Sequence, residues 1–295
     1  MAGWENDRVM LPSQAHPRFI MKFFYLKQMR KRFLATFVIS LAFSLASTAA
    51  EIRIAGTGNA LGAMKQIANA YNKSHPHAKA IVLESIGSSG AIKGVARGAI
   101  EVGLSSKTLT ENEKQLGLRI IEYARTPTVF AVRPENSKTG ITVDEILSIY
   151  SGKLTRWPDG TLIRPILRQP GEHNTEQILK LSSDMAAALH LAENRPGTPF
   201  AVTDQEAAGK MENIPGSIGV TTLGLILSEK RSLRPLILNG VSPTPENAHA
   251  GRYLMVKHFY LVLSKTPSPE TMAFVKFLRS PSGQTILKRT GHTLP

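Results

Sequence analysis

Three times within its first globular stretch the chain passes from a short apolar run into a polar loop, and two of those loops open into helical spacing. Ile52-Arg53-Ile54-Ala55 alternates as a strand and meets Gly56-Thr57-Gly58-Asn59. Leu61, Met64, Ile67, Ala68 and Tyr71 then recur at helical intervals, with Pro76 just past the end. Residues 80–83 read as the next strand, and a helix through Ile92 and Val95, closed by Gly98, follows a glycine–serine turn. Residues 100–104 form a third strand that ends at Ser105-Ser106. Strand, loop and helix in repetition are the signature of a parallel α/β sheet. All three loops follow carboxyl ends of strands, the edge at which such sheets bind ligands. Thr57, Ser88, Ser89 and Ser106 are thereby placed to converge.

The middle loop is the most informative. Ile86-Gly87-Ser88-Ser89-Gly90-Ala91-Ile92-Lys93-Gly94 sets two hydroxyls and two glycines at a helix start. The helix dipole adds partial positive charge there, so the loop makes a bowl of donors suited to an oxyanion held by hydrogen bonds alone. Taken singly, it reads better as an ordinary loop with a serine N-cap. Agreement among three loops favours a site without naming its ligand.

The scheme recurs downstream. Residues 128–132 read as a strand, and Thr142, with Glu145 at the capping-box position, opens a helix through Val143, Ile146, Leu147 and Tyr150. Strand-like residues 163–167 run into Arg168, a polar loop Gly171-Glu172-His173-Asn174-Thr175, and a helix from Glu176. Residues 184–215 read as helical and then irregular, Ser217-Ile218-Gly219-Val220 as a strand and Pro243-Thr244-Pro245 as a loop. Residues 253–263 read as one or two strands, residues 272–278 as an amphipathic helix, and Ser280 begins the cap of a last one.

The N-terminal 50 residues stand apart. Met29-Arg30-Lys31-Arg32 is a basic region, residues 33–46 are apolar apart from Thr36, Ser40 and Ser44, and Ser47-Thr48-Ala49-Ala50 supplies a small-x-small cleavage site. This is the pattern of a secretory signal peptide cleaved near Ala50, and its apolar run is shorter than the roughly 20 residues of a membrane anchor. Residues 1–28 have no place in such a signal, and Met21 or Met29 is a better start than Met1. Seven of the 36 bases and two of the 22 acids lie in residues 1–50, so the mature part keeps 29 and 20, a net charge of +9. A basic exported product attracts anions. The chain has no cysteine, which removes disulfides, thiolate metal sites, cysteine nucleophiles and a lipoprotein anchor. The expected location is the periplasm, and 245 residues suffice for one large domain or two lobes.

At this point the chain resembles the phosphate-binding components of phosphate ABC transporters, a family of type II periplasmic solute-binding proteins. The resemblance spans about residues 51–295. It is carried by Ile86 to Lys93, by Val102-Gly103-Leu104-Ser105-Ser106-Lys107-Thr108-Leu109, by Ile149-Tyr150-Ser151-Gly152-Lys153-Leu154-Thr155-Arg156-Trp157, and by Phe277-Leu278-Arg279-Ser280-Pro281-Ser282-Gly283-Gln284. It implies a two-lobed α/β fold, each lobe a mixed sheet flanked by helices, with the ligand in the cleft between them. Lobe 1 would be residues 51–132 with 254–295, and lobe 2 residues 133–253. The family holds a tetrahedral oxyanion with loop amides, hydroxyls, an arginine and a carboxylate. The matching positions are Thr57, Gly58 and Asn59, then Ser88 and Ser89 with Gly90 behind them, and Arg168, which implies a two-pronged contact with the anion.

Two places depart from the family. Its Ser-Asp is here Ser105-Ser106, which removes the carboxylate that favours protonated phosphate over sulfate. Its Gly-Ser-Gly-Thr is here Gly171-Glu172-His173-Asn174. Glu172 beside an anion would repel it unless it points away, whereas His173 and Asn174 can donate and His173 can titrate.

The leading expectation is a monomeric periplasmic binder of phosphate or another small oxyanion that delivers it to an ABC transporter permease by hinge closure, with no cofactor, metal or covalent step. A sensing or interaction module of the same fold, or a binder of a different anion, is the alternative. An enzyme is the rival from another class, but no Gly-x-Ser-x-Gly elbow accompanies Ser88, His173 and Glu172. His75-Pro76-His77 reads as a solvated turn rather than a metal pair, and dispersed bases with few aromatics argue against nucleic acid.

Overall fold

The computed structural model describes residue 1, residues 50–168 and residues 170–295. The basic and apolar segments of the expected export signal lie outside the described residues. Among the described residues, no helix is long and apolar enough to cross a membrane.

Local signals set most elements. β1 (Ala50–Gly56) buries its last three residues, and α1 (Gly58–Ser74) turns Leu61, Met64, Ile67, Ala68 and Tyr71 inward as one stripe. β2 (Ala78–Val82), α2 (Gly87–Ala96) and β3 (Val102–Ser105) complete the opening repeat. α3 (Glu111–Lys114) is one turn closed by a Thr110–Glu113 capping box, and β4 (Arg119–Val132) is a strand of 14 residues. β5 (Gly140–Ile141) leads into α4 (Val143–Ser151), which starts at the Thr142–Glu145 box and stops at Gly152 with φ 81°. β6 (Arg164–Pro165), β7 (Leu167–Arg168), α5 (His173–Leu179) and α6 (Met185–Glu193) follow. Next come β8 (Phe200–Ala201), α7 (Asp204–Asn213), β9 (Ser217–Thr222) and α8 (Leu223–Glu229). β10 (Arg234–Pro235), β11 (Ile237–Leu238), α9 (Pro245–His249), β12 (Val256–Leu263), α10 (Pro269–Leu278) and α11 (Pro281–Arg289) finish the chain.

Four elements differ from the sequence reading. β4 starts at Arg119 rather than residue 128, because its first part is held by pairing with β12 and not by a run of apolar residues. The strand expected at 163–167 is two short strands interrupted at Ile166, one paired with β9 and the other with β8. The region thought irregular after residue 193 contains β8 and α7, the latter capped by Thr203, whose hydroxyl accepts from Glu206 N. Pro245 opens a helix at its first turn, under a Thr244 cap, instead of lying in a loop.

The eight-stranded sheet runs β2-β1-β3-β12-β4-β9-β6, with β10 also on β4. β1 pairs parallel with β2 and β3, while β12 joins antiparallel to β3 and β4. β4 spans two hydrophobic cores. Tyr123 and Ala124 belong to the one that packs α1, α10 and α11, and Phe130 and Val132 belong to the one that packs α4 and α6. The chain returns beside this crossing, where Thr128 N donates to Met255 O at 2.8 Å. Two glycines allow close approach of neighbouring elements. A Cβ on Gly56 would lie 2.0 Å from Leu104 O, and one on Gly62 would lie 2.3 Å from Ser228 Oγ, where α1 meets α8.

Candidate functional site

One wall of the main cleft is built from the ends of β1 and β3 and the start of α2. Thr57, Ser88, Ser89 and Ser106 all face a cavity of about 420 Å³. Ser106 N donates to Ser88 Oγ at 2.9 Å, and the two hydroxyls lie 3.1 Å apart, so the loops after β2 and β3 are tied to each other. Ser105 is used differently: its hydroxyl accepts from Lys107 N and donates to Lys107 O, fastening the turn. The residue before α2, Ile86, has no side chain able to cap, so no side-chain cap closes the start of that helix. An uncapped first turn leaves N–H donors open at the positive end of the dipole.

The starts of α1 and α5, also at the cleft, are occupied. At α1, Asn59 N donates to Asp204 Oδ2 at 3.0 Å. At α5, Asn174 N donates to Glu172 Oε2 at 2.7 Å. Both are bonds between helix N–H groups and carboxylates, the arrangement a bound anion would otherwise adopt. Asp204 also accepts from Arg168 Nη1 at 2.7 Å and from Asn174 Nδ2 at 3.1 Å. The second guanidinium arm, Nη2, donates to Val202 O at 3.2 Å and lies 3.7 Å from Glu172 Oε1. The two-pronged grip of Arg168 is thus spent on the protein's own carboxylates and backbone. Only Nε of this buried side chain is left without a partner.

Burial and charge set the protonation states. Burial works to raise the Asp204 pKa, but the Arg168 and Lys257 charges and the hydrogen bonds outweigh it and hold the carboxyl below its usual range. Lys257 is fully buried and donates to Asn174 Oδ1. Burial lowers its pKa while Glu172 and Asp204 oppose that fall. His173 is pushed down to about 3, chiefly by burial and next by the Lys257 charge, so it is neutral at physiological pH and does not serve there as the titrating donor expected from sequence. Its Nδ1 has no hydrogen-bond partner.

The cleft therefore gathers Thr57, Ser88, Ser89, Ser106, Arg168, Gly171 and His173 from the sequence candidates. Asn59 and Asn174 are fully buried behind it, where they hold Asp204 and Lys257. Gly58 packs against Asp204 and Gln205, and Gly90 sits within α2 over Ile86. Glu172 does not point away: it lines the cleft as the cap of α5. Sequence reasoning missed Asp204 and Lys257. Thr203 and Glu206 flank Asp204 as a helix-start signal, and Lys257 shares a strand face with Phe259 and Leu261, which marks it for burial. No group able to hold a metal occurs among the described residues, and His75 stacks on Tyr71.

A family model described as a PBP superfamily domain matches residues 43–282. A phosphate-binding protein PstS of Borreliella burgdorferi is 26% identical over 229 residues, which cover 75% of this chain and 81% of that protein. Among solved structures, a substrate-binding protein from Clostridium perfringens with bound phosphate gives a TM-score of 0.70 at 21% identity, covering 83% of this chain and 99% of the other. An ABC-type phosphate transport receptor from Vibrio cholerae gives 0.59 at 21% identity, over 83% and 100%. Both structures share the fold described above.

Proposed function

Because the chain belongs to the PBP superfamily, we propose that it is a solute-binding protein that closes two lobes over a phosphate-type oxyanion and delivers it to an ABC transporter. The observation that carries this reading is the open start of α2, with Ser88, Ser89 and Ser106 facing the cleft. Neutral donors at a helix N-terminus spread the ligand's charge without a counter-ion. The names of the relatives, one a phosphate-binding protein and one a phosphate transport receptor, point to the same ligand class. The lobes are residues 51–132 with 254–295, and residues 133–253, hinged where β4 and the segment before β12 cross. The protein is exported to the periplasm after cleavage near Ala50 and acts as a monomer on a membrane permease. It catalyses no reaction; Ser88 has Ser106, not a base, as its hydroxyl partner.

Calorimetric titration of the exported protein with phosphate, sulfate, molybdate and small phosphonates tests the reading. Saturable binding of at least one tetrahedral oxyanion, weakened tenfold or more in Ser88→Ala, is the expected result. Absence of binding to every anion would overturn it.

A further inference from the structure

The positive charge of the chain is not shared between the proposed lobes. Residues 51–132 with 254–295 hold 16 Lys or Arg against 7 Asp or Glu, whereas residues 133–253 hold 13 of each. The whole surplus of +9 therefore sits on lobe 1, and its field draws anions toward that side of the cleft.

The walls of the cleft repeat this division. Two cations line it, Arg168 from lobe 2 and Lys107 from lobe 1. Arg168 is committed, with Asp204 at 2.7 Å and Glu172 at 3.7 Å. Glu172, Glu176 and Asp204 outnumber it on that wall, which repels an anion toward the serines opposite. Lys257 is fully buried and donates to Asn174 Oδ1. Lys107 is not consumed in this way. Glu113, whose pKa is lowered chiefly by the hydrogen bond from Thr110 N and less by the Lys107 charge, is held in the capping box of α3. Lys107 directly follows Ser106, and Ser105 Oγ accepts from Lys107 N at 3.1 Å and donates to Lys107 O at 2.7 Å. The main chain is thus braced where it presents a half-buried lysine to the cleft.

We propose that Lys107 is a further anion-binding residue, whose ammonium adds an uncommitted positive charge to the neutral donors of the α2 start, Ser88, Ser89 and Ser106. This rests on the oxyanion reading and names the residue that supplies its charge. The bound anion is held against lobe 1, and the Arg168 wall of lobe 2 covers it without pairing with it.

Calorimetry with inorganic phosphate at low and high ionic strength tests the proposal. Lys107→Met should weaken phosphate about tenfold at low ionic strength, and Lys107→Arg should stay within about threefold of the native protein. Added salt should weaken the native protein more steeply than Lys107→Met, because the charge that salt screens is gone from the variant. Lys276→Met, an exposed change on α10 outside the cleft, controls for overall charge and should alter affinity by about twofold or less. Unfolding of Lys107→Met should match the native protein, since Ser105 holds the main chain at this position and not the side chain. Unchanged affinity in Lys107→Met beside a weakened Ser88→Ala would overturn the role of Lys107 and leave the oxyanion reading standing. So would a loss that Lys107→Arg or Lys276→Met shares in full. Failure of the native protein to bind phosphate, sulfate or molybdate would overturn both.

Discussion

The start of α2 and the starts of α1 and α5 carry similar local chemistry, small and polar residues after a strand, yet they end in different states. The first is uncapped and faces the cleft. At the other two, an N–H group already donates to Asp204 or Glu172. A helix N-terminus is therefore an anion site only where the chain does not supply its own carboxylate. The difference assigns the walls separate tasks. The serine wall offers donors, and the Arg168 wall is a closed network that ties α7 to α1, since Asp204 on α7 accepts from Asn59 on α1.

Breaking the closed network should have the largest effect. Asp204→Ala takes from Arg168 the carboxylate it holds at 2.7 Å, takes from the buried Lys257 one of the carboxylates that support its charge, and strips an acceptor from Asn59 N. Removing one partner of a buried ion pair costs about 3–5 kcal/mol, and urea unfolding should register a loss of that size. A change under about 1 kcal/mol would mean that the α1 start is not held by this carboxylate.

Acid probes the same wall from another direction. His173 in the folded protein has a pKa of about 3, while the unfolded chain takes up the proton near 6.5. Below about 6.5 the unfolded state binds more protons, so stability is complete above that pH and falls as pH drops toward 3. Between pH 6.5 and 5 the share of the loss due to His173 should be about 1–2 kcal/mol, and His173→Asn should remove that share. His292, buried and lowered to about 4, supplies a remaining slope of the same sign that His173→Asn leaves in place. An unchanged melting curve across this window in the native sequence would contradict burial of both rings.

The open wall predicts binding losses with little change in stability. Ser88→Ala removes the donor proposed for the anion and an acceptor of Ser106 N. A hydrogen bond to a charged ligand is worth about 1.5–3 kcal/mol, roughly a 10- to 150-fold loss of anion affinity. Unfolding should shift by about 1 kcal/mol or less. A variant that binds as tightly as the native protein would remove the α2 start from the site.

How much of this was legible follows from sequence distance. Strand alternation and helical spacing marked β1, α1, α2 and β3, because each element carries its own periodicity. The Thr142–Glu145 box fixed α4 from four residues. The serine bowl was legible for the same reason, since its donors sit within one loop and the next. Asp204 was not, because its partner Asn59 lies 145 positions away and only the fold brings them together. Short strands such as β7 and β8, two residues each, show no period at all, and they are what carries Arg168 to Asp204. The role of Glu172 was half visible: its place beside the anion loop was evident, but its use as a cap depends on a backbone turn that composition does not reveal.

Glu172 also gives the smallest and most discriminating test of the contrast between walls. Replacing it with serine keeps a cap, because a serine hydroxyl can accept from a helix N–H as the carboxylate now does from Asn174 N. The cap exchange itself should cost no more than about 1 kcal/mol, and any loss beyond that reports the support Glu172 gives to the buried Lys257 charge. The charge, however, is gone, and the α5 start becomes neutral like that of α2. Arg168 Nη2 loses the carboxylate 3.7 Å away and regains a share of its charge for the cleft. Inorganic phosphate should then bind several-fold more tightly, by the roughly 1 kcal/mol of one relieved like-charge contact, with the gain shrinking at high salt. Calorimetry at low and high ionic strength reads both effects. If Glu172→Ser leaves phosphate affinity and its salt dependence unchanged, the carboxylate does not face the bound anion, and the distinction between an open and an occupied helix start has no consequence for the ligand.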